Sequence, residues 1–263
     1  LLQHPEVIDE LPEDVCFLNW DYGDDPSEKN IEVFEKLNRK QIVCPGTSIW
    51  NRFCETVEIE ESNISLMAEY GYRHGADGVL NTNWGDWGHT CPMQLSMYGM
   101  VLGAAKSWSV NTKIDDKFYE DVETLLYVHK GAMNCLKKLS QMQSLSSAYF
   151  MFGAYFNYRY EHNPDFTHIK PKTVKSIQEQ YLELKEILVA DVWGNDVYRQ
   201  EMLLAAEAVC MMAEFAAKIA GQEVQRLTNT KEWIKNYRKS WLSQSKISEL
   251  HKIEELFLYC DEI

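Results

Sequence analysis

The chain has 263 residues, of which 45% are hydrophobic, so it can bury a sizeable core in one or two domains. Its formal net charge of -14 would repel a phosphate backbone, which excludes nucleic acid as an expected partner. No signal-peptide pattern and no long apolar span is visible, so we expect no membrane partner. The seven cysteines are widely spaced and odd in number. They indicate reduced core residues of a cytoplasmic protein rather than a disulfide scaffold.

The first part of the chain is predicted to alternate short apolar strands with helices. The predicted strands are residues 15–19, 41–44 and 78–82, and helices follow each of them, the last at 93–108. Ser27 is placed to cap the first helix, and Gly75 to end the second in a left-handed conformation. Strands that are apolar on both sides are typical of a parallel sheet covered on both faces, with right-handed helical crossovers.

After residue 109 the sequence shows helical periodicity and no convincing strand. We therefore predict two domains: a parallel α/β part at 1–109 and an all-α helical domain at 110–263, so that the chain is mostly α. Residues 202–220 are apolar on nearly every side, which predicts a central helix ended by Gly221. Residues 147–160 predict an aromatic-rich helix or helix pair. The other predicted stripes are Phe118, Val122, Leu125, Leu126, Met133, Leu136 and Leu139; Val174, Ile177, Tyr181, Leu184 and Leu188; Trp233, Ile234, Tyr237 and Trp241; and Ile247, Leu250, Ile253 and Phe257.

Candidate ligand-binding residues follow the three predicted strands, and ligands of such folds bind beyond the C-terminal strand ends. Trp84-Gly85-Asp86 is the most informative group, because an indole can stack on a pyranose ring while a carboxylate accepts hydrogen bonds from its hydroxyls. Asp86 could instead cap the helix predicted from residue 93 or form a salt bridge. The other candidates, each of which could instead serve packing or a local turn, are Trp20, Tyr22, Trp50 and Asn51, with Asp21, Asp24 and His89 as weaker ones.

Nucleotide-binding and metal-binding signatures are missing from the sequence. It contains neither GxGxxG nor GxxxxGK[ST], and its histidines form no HxxxH or HExxH pattern. We therefore expect no cofactor and no metal site.

The segment 75–108, which contains Trp84-Gly85-Asp86, resembles the last strand and helix of the (β/α)8 barrel in glycoside hydrolase family 20, the β-N-acetylhexosaminidases. Residues 43–51 (VCPGTSIWN) resemble the preceding strand in one bacterial branch, 17–22 the strand before it, and 233–259 the end of the helical domain that follows the barrel. The resemblance implies the last three βα units of a TIM barrel followed by a helical domain. It also implies that Asp86 binds outer sugar hydroxyls, and that Trp84, Trp20 and Trp50 enclose the sugar.

The family mechanism is substrate-assisted and retaining: the 2-acetamido oxygen of the sugar attacks the anomeric carbon. An Asp-Glu pair at the end of the fourth strand orients the acetamide and protonates the leaving oxygen. By the resemblance this chain begins near the sixth strand, so we assign no catalytic residue and expect the chain itself to be inactive. Thr47, Ser48 and Trp50 stand where the family often has a Tyr that contacts the acetamide, which leaves the preference for N-acetyl sugars open.

Two functions are therefore considered. The first is the C-terminal fragment of a glycosidase that removes terminal N-acetylhexosamine or a related sugar, with a glycan as its ligand. The alternative is a non-catalytic carbohydrate-binding or helical interaction module. A three-stranded sheet has two open edges. We expect it to pack on the helical domain, on residues 1–11, on a second copy in a homodimer, or on the missing half of a barrel.

Overall fold

The computed structural model describes residues 4–145 and 170–262. The described chain is mostly helical with one small parallel sheet, as the sequence predicted. The strands are β1 (Phe17–Trp20), β2 (Gln41–Cys44) and β3 (Gly78–Val79). The α-helices are α1 (Glu28–Lys36), α2 (Val57–Arg73), α3 (Asp86–His89), α4 (Met97–Trp108), α5 (Asp116–Val122), α6 (Ala132–Leu145), α7 (Pro171–Ala190), α8 (Asp196–Ile219), α9 (Thr230–Gln244) and α10 (Leu250–Glu262). Two 3-10 helices span Pro5–Glu10 and Met93–Ser96, and a π-helix spans Glu123–Tyr127. The predicted helix at 147–160 lies outside the described residues.

The three strands are parallel and lie in the order β1-β2-β3. The first strand is shifted by up to two residues from its predicted position, whereas β2 has the predicted bounds. Regular pairing of β3 is short, but the ladder continues beyond it. The Leu80 amide donates to the Val43 carbonyl at 2.9 Å, and Gly46 pairs with Thr82. The predicted strand 78–82 is therefore present as a line of backbone contacts.

One face of the sheet is covered by α1 and α2. Ile31 from α1 and Met67 from α2 pack with Val43 of β2 in one buried cluster. Beneath α1, the Asn19 side chain donates to the Asn30 carbonyl at 3.1 Å, and the Gln41 side chain donates to the Ile31 carbonyl at 2.9 Å. These bonds give the two buried side-chain amides partners on the helix.

The opposite face is open at β1, so the prediction of a sheet covered on both sides is wrong there. Leu18 is 56% exposed and Trp20 is 67% exposed, while Phe17 and Asn19 between them are buried. Leu80, which follows β3, is also exposed. The reason is that both crossover helices pack on the same face. The 3-10 helix Pro5–Glu10 adds cover on that covered side, since Ile8 packs with Phe17.

The ends of the first two helices test two local predictions. Gly75 has φ +64° and follows α2, and the Ala76 amide donates to the Gly71 carbonyl at 2.8 Å, as a left-handed helix end requires. Ser27 does stand at the N-cap of α1, but its side chain makes no capping hydrogen bond. Its backbone amide instead donates to the Asp21 carboxylate at 3.0 Å.

Contacts divide the chain into two compact units. The first comprises the described residues of Leu1–Ser48, Val57–Trp84 and Tyr98–Asp115, and the second those of Ile49–Thr56, Gly85–Met97 and Asp116–Ile263. The residues directly after β2 and β3, 45–48 and 80–84, belong to the first unit, and the chain passes into the second unit at Ile49 and again at Gly85. The predicted domain boundary at residue 109 stays a prediction.

The second unit is built around α8, which is buried on nearly every side, as the sequence predicted. It is followed by Gly221 at φ +71°. Glu214 on α8 is buried, and its carboxylate accepts hydrogen bonds from Gln178, the Leu227 amide and Thr228 at 2.8, 2.8 and 2.5 Å. All five predicted stripe residues of α7 are also buried.

Two predicted helical stripes differ from the structure. The stripe from Phe118 to Leu139 is not one helix, because the backbone turns left-handed at Val128 (φ +53°) and Gly131 (φ +90°) between the π-helix and α6. Ile247 lies before α10 and is exposed, so it does not share the buried stripe of that helix.

Two further expectations concern the cysteines and the membrane. Cys16 is exposed, so its predicted place in the core is wrong. The other five cysteines with described side chains are buried as predicted, and none of these six forms a disulfide. Within the described ranges, every helix is too short or too polar to span a bilayer.

Candidate functional site

Three aromatic side chains of the first unit meet at the C-terminal ends of the strands. The indole Nε1–H of Trp84 donates a hydrogen bond to the Tyr22 hydroxyl at 2.7 Å. The Trp20 and Tyr22 rings are stacked, with centroids 5.4 Å apart and planes 26° from parallel. We call these three residues the aromatic cluster. The cluster joins the end of β1, where Trp20 is the last residue, to the segment after β3. Because β2 lies between these two strands, the side chains reach across β2.

The aromatic cluster is accessible to a ligand. Trp84 is 49% exposed, Trp20 is more exposed still, and Tyr22 is half-buried. An exposed indole whose NH is already bonded within the protein presents its apolar faces to solvent, and such faces stack on flat apolar surfaces, including those of sugar rings. Polar groups lie beside the cluster: the Thr47 hydroxyl donates to the Asn83 side-chain oxygen at 3.3 Å, next to Trp84 in sequence.

Asp21 shapes the loop that carries Tyr22. One carboxylate oxygen accepts from the Gly23 amide at 3.2 Å and the other from the Ser27 amide at 3.0 Å. This is the local bonding by which aspartates build turns. Both oxygens already serve the backbone, so the role that this structure gives Asp21 is to hold the loop.

Asn63 from α2 holds the loops that follow β1 and β2, and sequence reasoning missed it. Its side chain is buried, and its amide nitrogen donates to the carbonyls of Asp21 at 2.9 Å and Gly23 at 2.7 Å. Its oxygen accepts from the Gly46 amide at 3.1 Å. A signal was available: Asn63 lies one turn before Met67 on the buried side of the helix, where a polar side chain needs partners.

Asp24, the other weak candidate of the first unit, is exposed. Four predicted site residues belong to the second unit: Trp50, Asn51, Asp86 and His89. Asp86 is the first residue of α3 and is exposed. Asn51 is only 8% exposed and has a left-handed backbone at φ +60°, and Trp50 is half-buried with the Arg52 guanidinium 5.9 Å from its ring centroid. The structure thus brings Trp20, Tyr22 and Trp84 together in one unit and places Trp50, Asn51 and Asp86 in the other.

Gly85, in the middle of the Trp-Gly-Asp motif, lies against the His89 ring. A Cβ atom at Gly85 would stand 1.8 Å from His89 Nδ1, so a side chain there would clash. His89 has a left-handed backbone at φ +59°, and burial lowers the pKa of its imidazole, which favours the neutral ring. These features fit the loop-packing role that the sequence left open for His89.

Two further features concern a thiol near the site and the arrangement of possible metal ligands. Cys44 at the end of β2 is buried, and burial raises the pKa of its thiol to about 11, so it stays protonated near neutral pH. Among residues 4–145 and 170–262 no group of His, Cys, Asp and Glu side chains is arranged to hold a metal ion.

No protein-family model matches the chain, and no curated protein matches it either. The arrangement of its own residues is therefore the basis for the function proposed below.

Proposed function

We propose that the aromatic cluster forms part of a carbohydrate-binding site in a glycosidase similar to glycoside hydrolase family 20. The whole enzyme would remove a terminal N-acetylhexosamine or a related sugar. One observation carries the proposal: Trp20, Tyr22 and Trp84 are held together at the C-terminal ends of parallel strands, with both indoles exposed. That end of the strands is where open and closed parallel α/β folds bind their ligands.

The winding of the sheet supports a barrel as the parent architecture. The strands follow one another in sequence order, and both crossover helices lie on one face. A doubly wound sheet instead has helices on both faces. In a barrel, the face opposite the helices points inward and is filled by side chains of the other strands. The exposed side chains of Leu18 and Leu80 on that face fit such an interior.

Sugar binding without cleavage is the activity we propose for the chain alone. Glycoside hydrolysis uses two carboxyl groups about the scissile bond, or one acid together with the acetamide of the substrate. In the described part of the first unit, the carboxylate nearest Tyr22 in sequence, Asp21, is bonded to backbone amides on both oxygens. The aromatic cluster would therefore supply ring stacking, while the general acid would come from elsewhere in the enzyme.

A titration with N-acetylglucosamine, followed by chemical shifts in a ¹H–¹⁵N spectrum, tests the proposal. We expect millimolar binding by the unmodified chain, and affinity lowered by about tenfold in Trp84→Ala and Trp20→Ala, as expected for loss of an aromatic contact. Trp108→Ala is the matched control, because Trp108 is an exposed tryptophan of the same unit at the end of α4.

Unchanged spectra of the unmodified chain at high sugar concentration would overturn the proposal and favour the alternative of a helical interaction module. Equal loss of affinity in Trp108→Ala would show that binding does not occur at the aromatic cluster.

A further inference from the structure

Asn63 bonds to both sides of the residue that receives the Trp84 hydrogen bond. The two carbonyls that its amide nitrogen reaches belong to Asp21 and Gly23, the neighbours of Tyr22 in sequence. Holding both neighbours fixes the position of the Tyr22 backbone, from which the side chain reaches Trp84.

The same side chain is connected to Trp84 through backbone pairing. Its oxygen accepts from the Gly46 amide, and Gly46 pairs with Thr82, two residues before Trp84. The Thr82 amide and hydroxyl both donate to the Pro45 carbonyl, at 2.9 and 2.8 Å. The donor and the acceptor of the Trp84–Tyr22 hydrogen bond are thus both placed relative to one buried amide.

We propose that Asn63 is a positioning residue for the aromatic cluster: its amide sets the distance between Tyr22 and Trp84 and thereby the shape of the ligand surface. It acts through Tyr22, and contact with the ligand is no part of its role. The positioning role stands on the hydrogen bonds alone, while its consequence for sugar affinity rests on the proposed function.

Asn63→Asp is the sharpest change, because it keeps the side-chain shape and the acceptor for Gly46. It replaces the two N–H donors with an oxygen that faces the carbonyls of Asp21 and Gly23, an arrangement that repels. The loop after β1 should then move away from α2 and take the Tyr22 hydroxyl with it. Asn63→Ala removes the same donors without adding a charge, and it serves as a second variant if the aspartate prevents folding.

The matched control is Gln41→Glu. Gln41 is also a buried amide of the first unit whose nitrogen donates to a backbone carbonyl, that of Ile31. It begins β2 and therefore lies at the opposite end of the strands from the aromatic cluster. The control should lose stability to a similar degree without changing the loop that carries Tyr22.

The readout is the indole N–H resonance of Trp84 in a ¹H–¹⁵N spectrum, assigned by its absence in Trp84→Phe. We expect this resonance to shift in Asn63→Asp or Asn63→Ala in the same direction as in Tyr22→Phe, and to stay in place in Gln41→Glu. A folded Asn63 variant with an unshifted Trp84 resonance would overturn the positioning role. An equal shift in Gln41→Glu would overturn it too, because the effect would then follow stability rather than position.

Sugar titration of the same proteins separates the two proposals. If the unmodified chain binds N-acetylglucosamine, we expect the Asn63 variants to bind about fivefold or more weakly, as loss of hydrogen-bonded positioning implies. Unchanged affinity together with an unshifted Trp84 resonance would contradict the inference. If the unmodified chain binds no N-acetylglucosamine but the Asn63 variants still shift the Trp84 indole resonance, the sugar proposal is overturned and the positioning role is supported.

Discussion

The hydroxyl of Tyr22 accepts a hydrogen bond from the indole of Trp84 at 2.7 Å, across a sheet in which their strands are not paired. This bond orients an indole that is 49% exposed. A ring that is already oriented loses less conformational entropy when a ligand stacks on it. Under the proposed function, we therefore expect this contact to affect ligand binding more than folding.

Tyr22→Phe tests this relationship by removing the acceptor while keeping the ring that stacks on Trp20. We expect about two- to tenfold weaker sugar binding, the range that one hydrogen bond supplies. The melting temperature should change little, because the residue is only half-buried. Tyr72→Phe, at an exposed tyrosine of the same unit, is the control for a lost hydroxyl. Unweakened binding by Tyr22→Phe would show that the Trp84 orientation does not matter.

Gly85→Ala should destabilise the second unit, because the new methyl group would overlap the His89 ring. Overpacking of this kind costs about 1–3 kcal/mol, measurable as a lower free energy of unfolding in urea. Gly78→Ala is the control, since no atom lies within 4 Å of its added Cβ.

A double variant tests whether overlap with the His89 ring, rather than a change in the local backbone, causes the loss of stability in Gly85→Ala. In a His89→Ala background the ring is missing, and the same Gly85→Ala change should then cost much less. An undiminished cost in the double variant would rule out the His89 contact as the reason.

The stability of the first unit should depend on pH through His74. Its imidazole bonds to the Glu35 carboxylate at 2.6 Å and to Glu28 at 3.1 Å, and these partners, Glu35 first, raise its pKa above the ordinary 6.5. A raised folded-state pKa gives stability that is fully present below the ordinary pKa. That stability is lost as pH rises through the raised value.

Urea unfolding at a series of pH values from about 5 to 9, a range that spans the ordinary histidine pKa, would measure this dependence. We expect the free energy of unfolding to fall above the ordinary pKa in the unmodified chain. Glu35→Gln removes the carboxylate that contributes most to the raised pKa of His74. The fall in stability should then move to lower pH. His74→Gln should abolish this part of the profile, and an unchanged profile in that variant would assign the pH dependence to other groups.

Glu214→Ala should be among the most destabilising changes in the second unit. It would leave the Leu227 amide and the Thr228 hydroxyl without their buried acceptor. A loss of about 2–5 kcal/mol in the free energy of unfolding is expected, because each buried donor left without an acceptor costs about 1–3 kcal/mol. Glu223→Ala, at an exposed glutamate of the same unit, should stay within about 0.5 kcal/mol of the unmodified chain.

The chain alone should not hydrolyse an aryl N-acetylglucosaminide above the background rate. A general acid by itself contributes about 10²–10⁴-fold to such reactions, and our proposal places that acid elsewhere. A measurable rate that Trp84→Ala abolishes would contradict the division between binding and catalysis proposed here.

Local sequence patterns were sufficient for much of the fold. The order of strands and helices in the first part, the left-handed end of α2 at Gly75 and the burial of α8 all follow from periodicity and residue type within a few turns. Periodicity gave a wrong prediction for the stripe from Phe118 to Leu139, which is not one continuous helix. The helix is interrupted at Val128 and Gly131, which have left-handed backbones. Valine rarely adopts that conformation, so the sequence does not predict it at residue 128.

The sequence by itself determined which residues follow the parallel strands, and so it nominated Trp20, Tyr22 and Trp84 for a common site. Only the tertiary structure decided that Tyr22 bonds to Trp84, 62 positions away, and that Asn63 holds the loop that carries Tyr22 from 40 and 42 positions away. The physical reason is range: helix and strand patterns report interactions between near neighbours in sequence. A hydrogen bond between distant loops exists only once the folded backbone has brought its donor and acceptor within 3 Å.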